Sequence, residues 1–539
     1  MRLAAVLLAA ALVVTGTPVA GAQSSGVDWV QVACSLPHDQ LLRVWRGTDL
    51  PRSGDILVVP DEPNFLGSNF PHSGPWDYLQ DVPLFWYGPG QIPALGRLQR
   101  SATLADIAPT QAALLGFDGF DAPDGRRLSP VARGAASEPP ALIVTLVWDG
   151  GGRNVLEEFP RSWPVLRSLI PRGIWYEHAE VGSSPSITPA AHATIGAGAF
   201  PRITGQIDSE FRLGSRLVRS GSLGPALLPA PTLADVYDLA MGNRPLVGTM
   251  ASVTWHVNMM GHGAMFSGGD RDLVVLRLAA SDGNEGAEGD SWTIKGKNAP
   301  WFSFPRYAND LPGPEAYVEE LDREDGAFDG RWRDHDIAQL GDGFDTPARA
   351  EFQNRLWIEV LRREGFGRDD VPDLLFLNNK IIDHVGHLFS LNSPEMQDTV
   401  RWQDAALGEL LEALDRLVGE GRWVIVLTAD HGHQYDPSVS GAFQVTPVQV
   451  GADIDDAFGD GVAASVRTTQ VYLDGDGLDR ARASVDDVAA FLLRYTKAQG
   501  AAPSVTVPDG ERDDLVFSAV FPVDVFRDPL PCLPEMEER

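Results

Sequence analysis

The stretch "RWVIVLTADHGHQYDP" (422–437) decides the fold. Its first half is a continuous apolar run, the pattern of a central strand covered on both faces. Its second half turns abruptly to Asp430, His431, Gly432 and His433, residues that bind rather than pack. The same change recurs along the chain. "DILVVP" (55–60), "VPLFWYG" (82–88), "ALIVTLVWDGGG" (141–152) and "DLLFLNN" (373–379) are apolar runs of strand length. "TLADIAPTQAALLG" (103–116) and "DTVRWQDAALGELLEALDRLVGEG" (398–421) have helical period and end near glycine. Strands alternating with helices predict an α/β fold: a doubly wound, mostly parallel sheet flanked by helices. Ligands of such sheets bind beyond the carboxyl ends of the strands, where Asp149, Asp383 and Asp430 lie.

The chain has 539 residues, 44% of them hydrophobic, enough for one large α/β domain with an inserted lobe. A net charge of −31 argues against nucleic acid or an anionic membrane surface as a partner and suits a solvated, exported protein. The opening "MRLAAVLLAAALVVTGTPVAGAQSS" reads as a secretory signal peptide cut after Ala22, so the protein is expected in the extracellular space or cell envelope, with no membrane span in the mature chain. Cys34 and Cys532 lie near the two ends. Export permits a disulfide between them; two free buried thiols is the alternative.

"KIIDHVGH" (380–387) places Asp383 and His387 four apart, on one side of a helical turn, where both can hold one cation. Asp430 with His431, and Asp149, extend the donor set. The segment "SSPSITPAAHATIGAGAFPRITGQ" (183–206) offers Thr188 at a helix start, beside free backbone N–H groups that suit an anion. An ordinary Ser/Thr helix cap is the competing reading.

Together these residues resemble the alkaline phosphatase superfamily, most closely its type I phosphodiesterase/nucleotide pyrophosphatase branch. In that resemblance Asp149 matches the first aspartate and Thr188 the nucleophile. Asp383 with His387 and Asp430 with His431 match the two Asp/His pairs. The resemblance implies two divalent ions, zinc in kind, and a small-molecule phosphate ester as substrate. It implies a secreted hydrolase of phosphoric ester bonds, favouring diesters or pyrophosphates through a phospho-threonine. Phosphomonoester, phosphonate or sulfate hydrolysis is a second reading, and a non-catalytic binding protein on the same fold a third. His433, His384, Lys380 and Ser209 are candidates for groups around the ligands or on the phosphoryl oxygens.

The family's last histidine ligand follows the Asp-His pair, yet no histidine follows His433 here. "HSGPWDYLQDVPLFWYGPGQI" (72–92), followed by the 103–116 helix, resembles the family's closing segment and nominates His72 as the missing ligand. The expected order is therefore a circular permutation. Residues 23–137 complete the catalytic sheet after the 1–22 signal peptide. Residues 138–264 and 351–450 form the catalytic core, 265–350 an inserted loop-rich lobe, and 451–539 a small subdomain and tail. A Cys34–Cys532 bridge would then lie near the seam.

Overall fold

A computed structural model describes residues 26–134, 138–278, 291–294, 298–502 and 505–537. The expected signal peptide, and "SDGNEGAEGD" (281–290) of the expected lobe, lie outside the described residues.

A nine-stranded sheet forms the centre. Across it run Ser291–Thr293, Leu273–Leu278, Val247–Ala251, Asp373–Asn379, Leu142–Trp148, Trp423–Thr428, Leu84–Tyr87, Ile174–Glu180 and Gly96–Thr103. Pairing is parallel except at Ser291–Thr293, which is antiparallel to Leu273–Leu278, and at Leu84–Tyr87, which is antiparallel to both neighbours. Two-sided burial explains the continuous apolar runs. Leu142, Val144, Leu146 and Trp148 pack with Leu356, Trp357 and Leu410 on one face. Ile143 and Val147 pack with Ile107, Tyr237 and Ile195 on the other. Helices thus cover both faces, as the doubly wound reading requires.

The register sets up the site. Trp148 pairs with Asn379, and Thr428 with Val147, so three strands end side by side and release Asp149, Lys380 and Asp430 at one edge. Leu84 pairs antiparallel with Thr428. The chain that precedes Leu84, including His72, therefore enters at that same edge.

Two sequence expectations fall differently. "DILVVP" forms Ile56–Pro60, but in a separate four-stranded antiparallel sheet with Ala463–Val466, Gln470–Leu473 and Phe517–Pro522. Ile56 and Val58 face one core and Leu57 and Val59 another. A small sheet buried on both faces leaves the same apolar signature as a central parallel strand. Within 265–350, Leu273–Leu278 joins the central sheet beside Val247–Ala251 rather than a lobe. The small sheet draws the two ends of the chain together, where Cys34 and Cys532 are bonded with Cα atoms 5.7 Å apart. No helix among the described residues is long and apolar enough to cross a membrane.

Near the far edge of the central sheet, Asp238 is buried close to Asp270 and Asp272. Burial first, and then the Asp270 charge, push its carboxyl from the usual 3.8 to about 7. Its folded pKa is raised, so its contribution to stability is complete below pH 4 and is lost as pH rises through about 7. The Asp238→Asn variant should therefore show a flatter dependence of Tm on pH between 4 and 8. At pH 8 its Tm should exceed the wild type by about 2 °C or more. Parallel Tm–pH curves for the two proteins would refute this.

Candidate metal centre and active site

The site is built where those strands end. Asp149 directly follows Leu142–Trp148, and Asp430 follows Trp423–Thr428 by two residues. Asp383 and His387 lie one turn apart on the helix Ile381–Phe389, which begins directly beyond Lys380. Thr188 is the first residue of the helix Thr188–Ala197, reached by the loop after Ile174–Glu180. His72 arrives on the segment preceding the antiparallel strand. All seven are buried or partly buried, and Asp149, Asp430 and His431 are completely enclosed.

Each imidazole is fixed by its Nδ1–H. His72 donates to the Ser186 carbonyl at 2.9 Å, His387 to the Phe70 carbonyl at 3.1 Å and His431 to the Gly432 carbonyl at 2.9 Å. A carbonyl only accepts, so each Nε2 carries a lone pair. The three lone pairs converge on Asp383 Oδ1, at 3.4, 3.4 and 3.6 Å. His431 Nε2 also lies 3.6 Å from Asp149 Oδ1 and 3.5 Å from Asp430 Oδ1. Lone pairs facing carboxylates repel unless a cation sits between them. Donors about 3.3–3.6 Å apart match neighbouring corners of a tetrahedron with ~2.0–2.1 Å zinc bonds. Asp383 Oδ1, Asp430 Oδ2 and His431 Nε2 are buried with no hydrogen-bond partner. Two donor groups emerge, His72–Asp383–His387 and Asp149–Asp430–His431, each with ligand atoms within 4.8 Å of one another. The residues present fit divalent ions.

Lys380 stands between them. Its Nζ donates to Asp149 Oδ1 at 2.8 Å and to Thr188 Oγ1 at 3.0 Å, and pairs with Asp383 Oδ2 at 2.7 Å. Burial opposes its charge, but Asp149 and Asp383 outweigh that and hold the ammonium above its ordinary range. Burial likewise opposes ionisation of Asp149 and Asp383, yet Lys380 keeps both carboxyls well below the usual range. At Asp430 burial, and then the Asp149 charge, outweigh the Lys380 charge and push the carboxyl well above the usual range. Burial lowers the imidazoles, His387 to about 4 and His433 to about 3, keeping them neutral and able to ligate.

The structure adds residues that the sequence did not single out. His256 Nε2–H donates to Asp149 Oδ2 at 3.1 Å, and Asn378 Nδ2 donates to the same oxygen at 3.1 Å. Asn378 Nδ2 also donates to His192 Nε2 at 2.9 Å, while His192 Nδ1 donates to the Thr188 carbonyl at 2.8 Å. These contacts orient a ligand and the Thr188 turn. Ser209 lines the cavity in front of the centre, where Arg467 Nη2 donates to its Oγ. His384 lies at the cavity rim against Asp345 Oδ1 at 2.8 Å. His433 is wholly buried beneath the centre.

A family model described as type I phosphodiesterase / nucleotide pyrophosphatase matches residues 143–448, more than half of the chain. The chain belongs to this family. It thereby joins the phosphoric ester hydrolases of the alkaline phosphatase superfamily. The match contains Thr188 and every candidate ligand except His72, the partner of Asp383 and His387, which precedes it. The alkaline phosphatase PhoV of Synechococcus elongatus is 28% identical over 407 residues, 67% of this chain and 72% of that protein. The alkaline phosphatase PafA of Elizabethkingia meningoseptica is 31% identical over 148 residues, 26% of this chain and only 27% of that relative's length. The crystal structure of wild-type PafA aligns with 72% of this chain and 85% of its own, at 19% identity and a TM-score of 0.48.

Proposed function

We propose that the protein is an exported, two-metal phosphoric ester hydrolase that acts on diesters or pyrophosphates through a phospho-threonine at Thr188. The observation that carries this reading is the convergence of three fixed imidazole lone pairs and three carboxylates beside one hydroxyl. Asp383, His387 and His72 would hold one zinc-like ion; Asp149, Asp430 and His431 would hold the other. When bound, the ions supply charge that stabilises an alkoxide, a leaving oxygen and a nucleophilic water.

The chain's own groups do the rest. Lys380 holds the Thr188 oxygen by a hydrogen bond, and its ammonium favours the ionised form. The helix that begins at Thr188 points its positive end at the phosphoryl group. Thr188 Oγ1 attacks phosphorus opposite the leaving oxygen, and that P–O bond breaks. The hydroxyl proton passes to water in the cavity and the leaving oxygen takes one from water. A water then attacks the phospho-threonine, its P–O bond to Thr188 breaks, and the hydroxyl is restored. The cavity measures about 480 Å³ and is lined by Trp255, Ser209 and Arg467 opposite the centre, room and charge for a second substituent on phosphorus.

The residue order supports a circular permutation, with His72 supplied from before the family segment, on the stretch that leads into a strand running against its neighbours. The Cys34–Cys532 bridge suits an oxidising destination.

Activity of zinc-loaded protein on p-nitrophenyl phosphate, bis-p-nitrophenyl phosphate and p-nitrophenyl sulfate tests the reading. The diester should turn over fastest. Preference for the monoester would move the assignment to the activity named for PhoV. Turnover of the sulfate alone would sink it.

A further inference from the structure

Two residues beyond the Asp430–His431 pair, His433 has no role in the mechanism above. It is fully buried, and neither ring nitrogen has a hydrogen-bond partner. A neutral imidazole enclosed with donor and acceptor both unused bears the desolvation penalty of both groups with nothing to offset it. An apolar side chain would fill the space without that cost. The ring is also held in place from several sides. Asn154 Nδ2 donates to the His433 carbonyl at 2.8 Å, and His433 N donates to Asn154 Oδ1 at 3.4 Å. A Cβ on Gly150 would lie 2.4 Å from His433 Nε2, and one on Gly386 would lie 2.3 Å from Cε1. Both flanking positions therefore have to be glycine for this imidazole to fit.

The ring is aimed at the centre. Its Nε2 lies 3.9 Å from Asp383 Oδ1, the oxygen that the other three Nε2 atoms already face. It meets the His72, His387 and His431 rings edge-on, with centroids 5.7, 5.9 and 5.7 Å away. Asp383, His431 and His433 keep their ligand atoms within 4.8 Å of one another, so His433 reaches the carboxylate that Asp383 shares with His72 and His387.

We propose that His433 is a fourth protein ligand, through Nε2, of the divalent ion held by Asp383, His72 and His387. The proposal rests on the metal centre of the preceding section. An Asp plus three imidazoles suits borderline ions such as zinc, cobalt or nickel and disfavours magnesium and calcium. It also gives this ion one more protein donor than its neighbour, so it should be the last to leave on chelation.

The test is cobalt(II) titration of chelator-stripped full-length wild type, His433→Ala, His433→Met and His387→Ala, read by bound-metal stoichiometry and the visible d–d spectrum. His433→Met fills the ring's space and guards against a variant that fails to fold. Wild type should bind two ions in two steps. Both His433 variants should weaken the tighter step beyond the roughly 10–100-fold that removal of an outer partner costs, and should alter its spectrum. His433 variants with wild-type affinity and spectrum, beside a His387→Ala variant that loses the ion, would overturn the ligand and leave the centre standing. A wild type that binds no divalent ion would overturn the centre and this ligand with it.

Discussion

Replacing Thr188 by alanine is expected to lower kcat/KM for phosphoric esters by at least about a thousandfold, roughly 4 kcal/mol of transition-state stabilisation. The loss should be chemical and not structural. Thr188 opens its helix without capping it: Ile187 holds the cap position, and Thr188 Oγ1 accepts from Lys380 Nζ. The helix is completed by Pro189 in its first turn and by His192 Nδ1–H bonding back to the Thr188 carbonyl, neither of which needs the hydroxyl. Thr188→Ala should therefore keep the wild-type Tm and both ions. Thr188→Ser, which keeps the oxygen within reach of Lys380, should retain most of the activity. Acid quenching of the wild type during turnover should trap phosphate on Thr188, detectable by peptide mass. A Thr188→Ala enzyme within tenfold of wild type would remove the covalent route.

Much of this was legible because two-sided burial writes itself into sequence. Leu142–Trp148, Asp373–Asn379 and Trp423–Thr428 are buried at every position, and just beyond their ends come Asp149, Lys380 and Asp430, charged residues that packing does not want. The same argument misplaced "DILVVP", since it reports coverage of both faces and not which sheet does the covering. His256 and Asn378 were not legible as partners of Asp149. Their contacts depend on Val247–Ala251 and Leu142–Trp148 flanking Asp373–Asn379, an adjacency that no local pattern encodes. His433 was visible as a residue, but its orphaned nitrogens exist only once Gly150 and Gly386 close around it.

His72→Ala carries the second large effect, because it tests a ligand separated from its partners by more than three hundred residues of chain. The His72 ring lies flat on that of His431, with centroids 3.4 Å apart and planes 6° apart, so it is packed between the two donor groups. Its main chain is secured independently of the ring: Ser186 Oγ donates to the His72 carbonyl at 2.7 Å. Truncation should thus leave the loop in place and remove one lone pair from Asp383 Oδ1. The expected outcome is loss of one ion of two, the ion of Asp383 and His387, and a fall in kcat of at least about a hundredfold. The Asp149–Asp430–His431 ion should stay, since none of its donors is touched. Metal content by elemental analysis after dialysis, beside kcat, decides the matter. Two ions and full activity in His72→Ala would mean that the front of the chain only props up the sheet, and the permuted order would lose its functional reason.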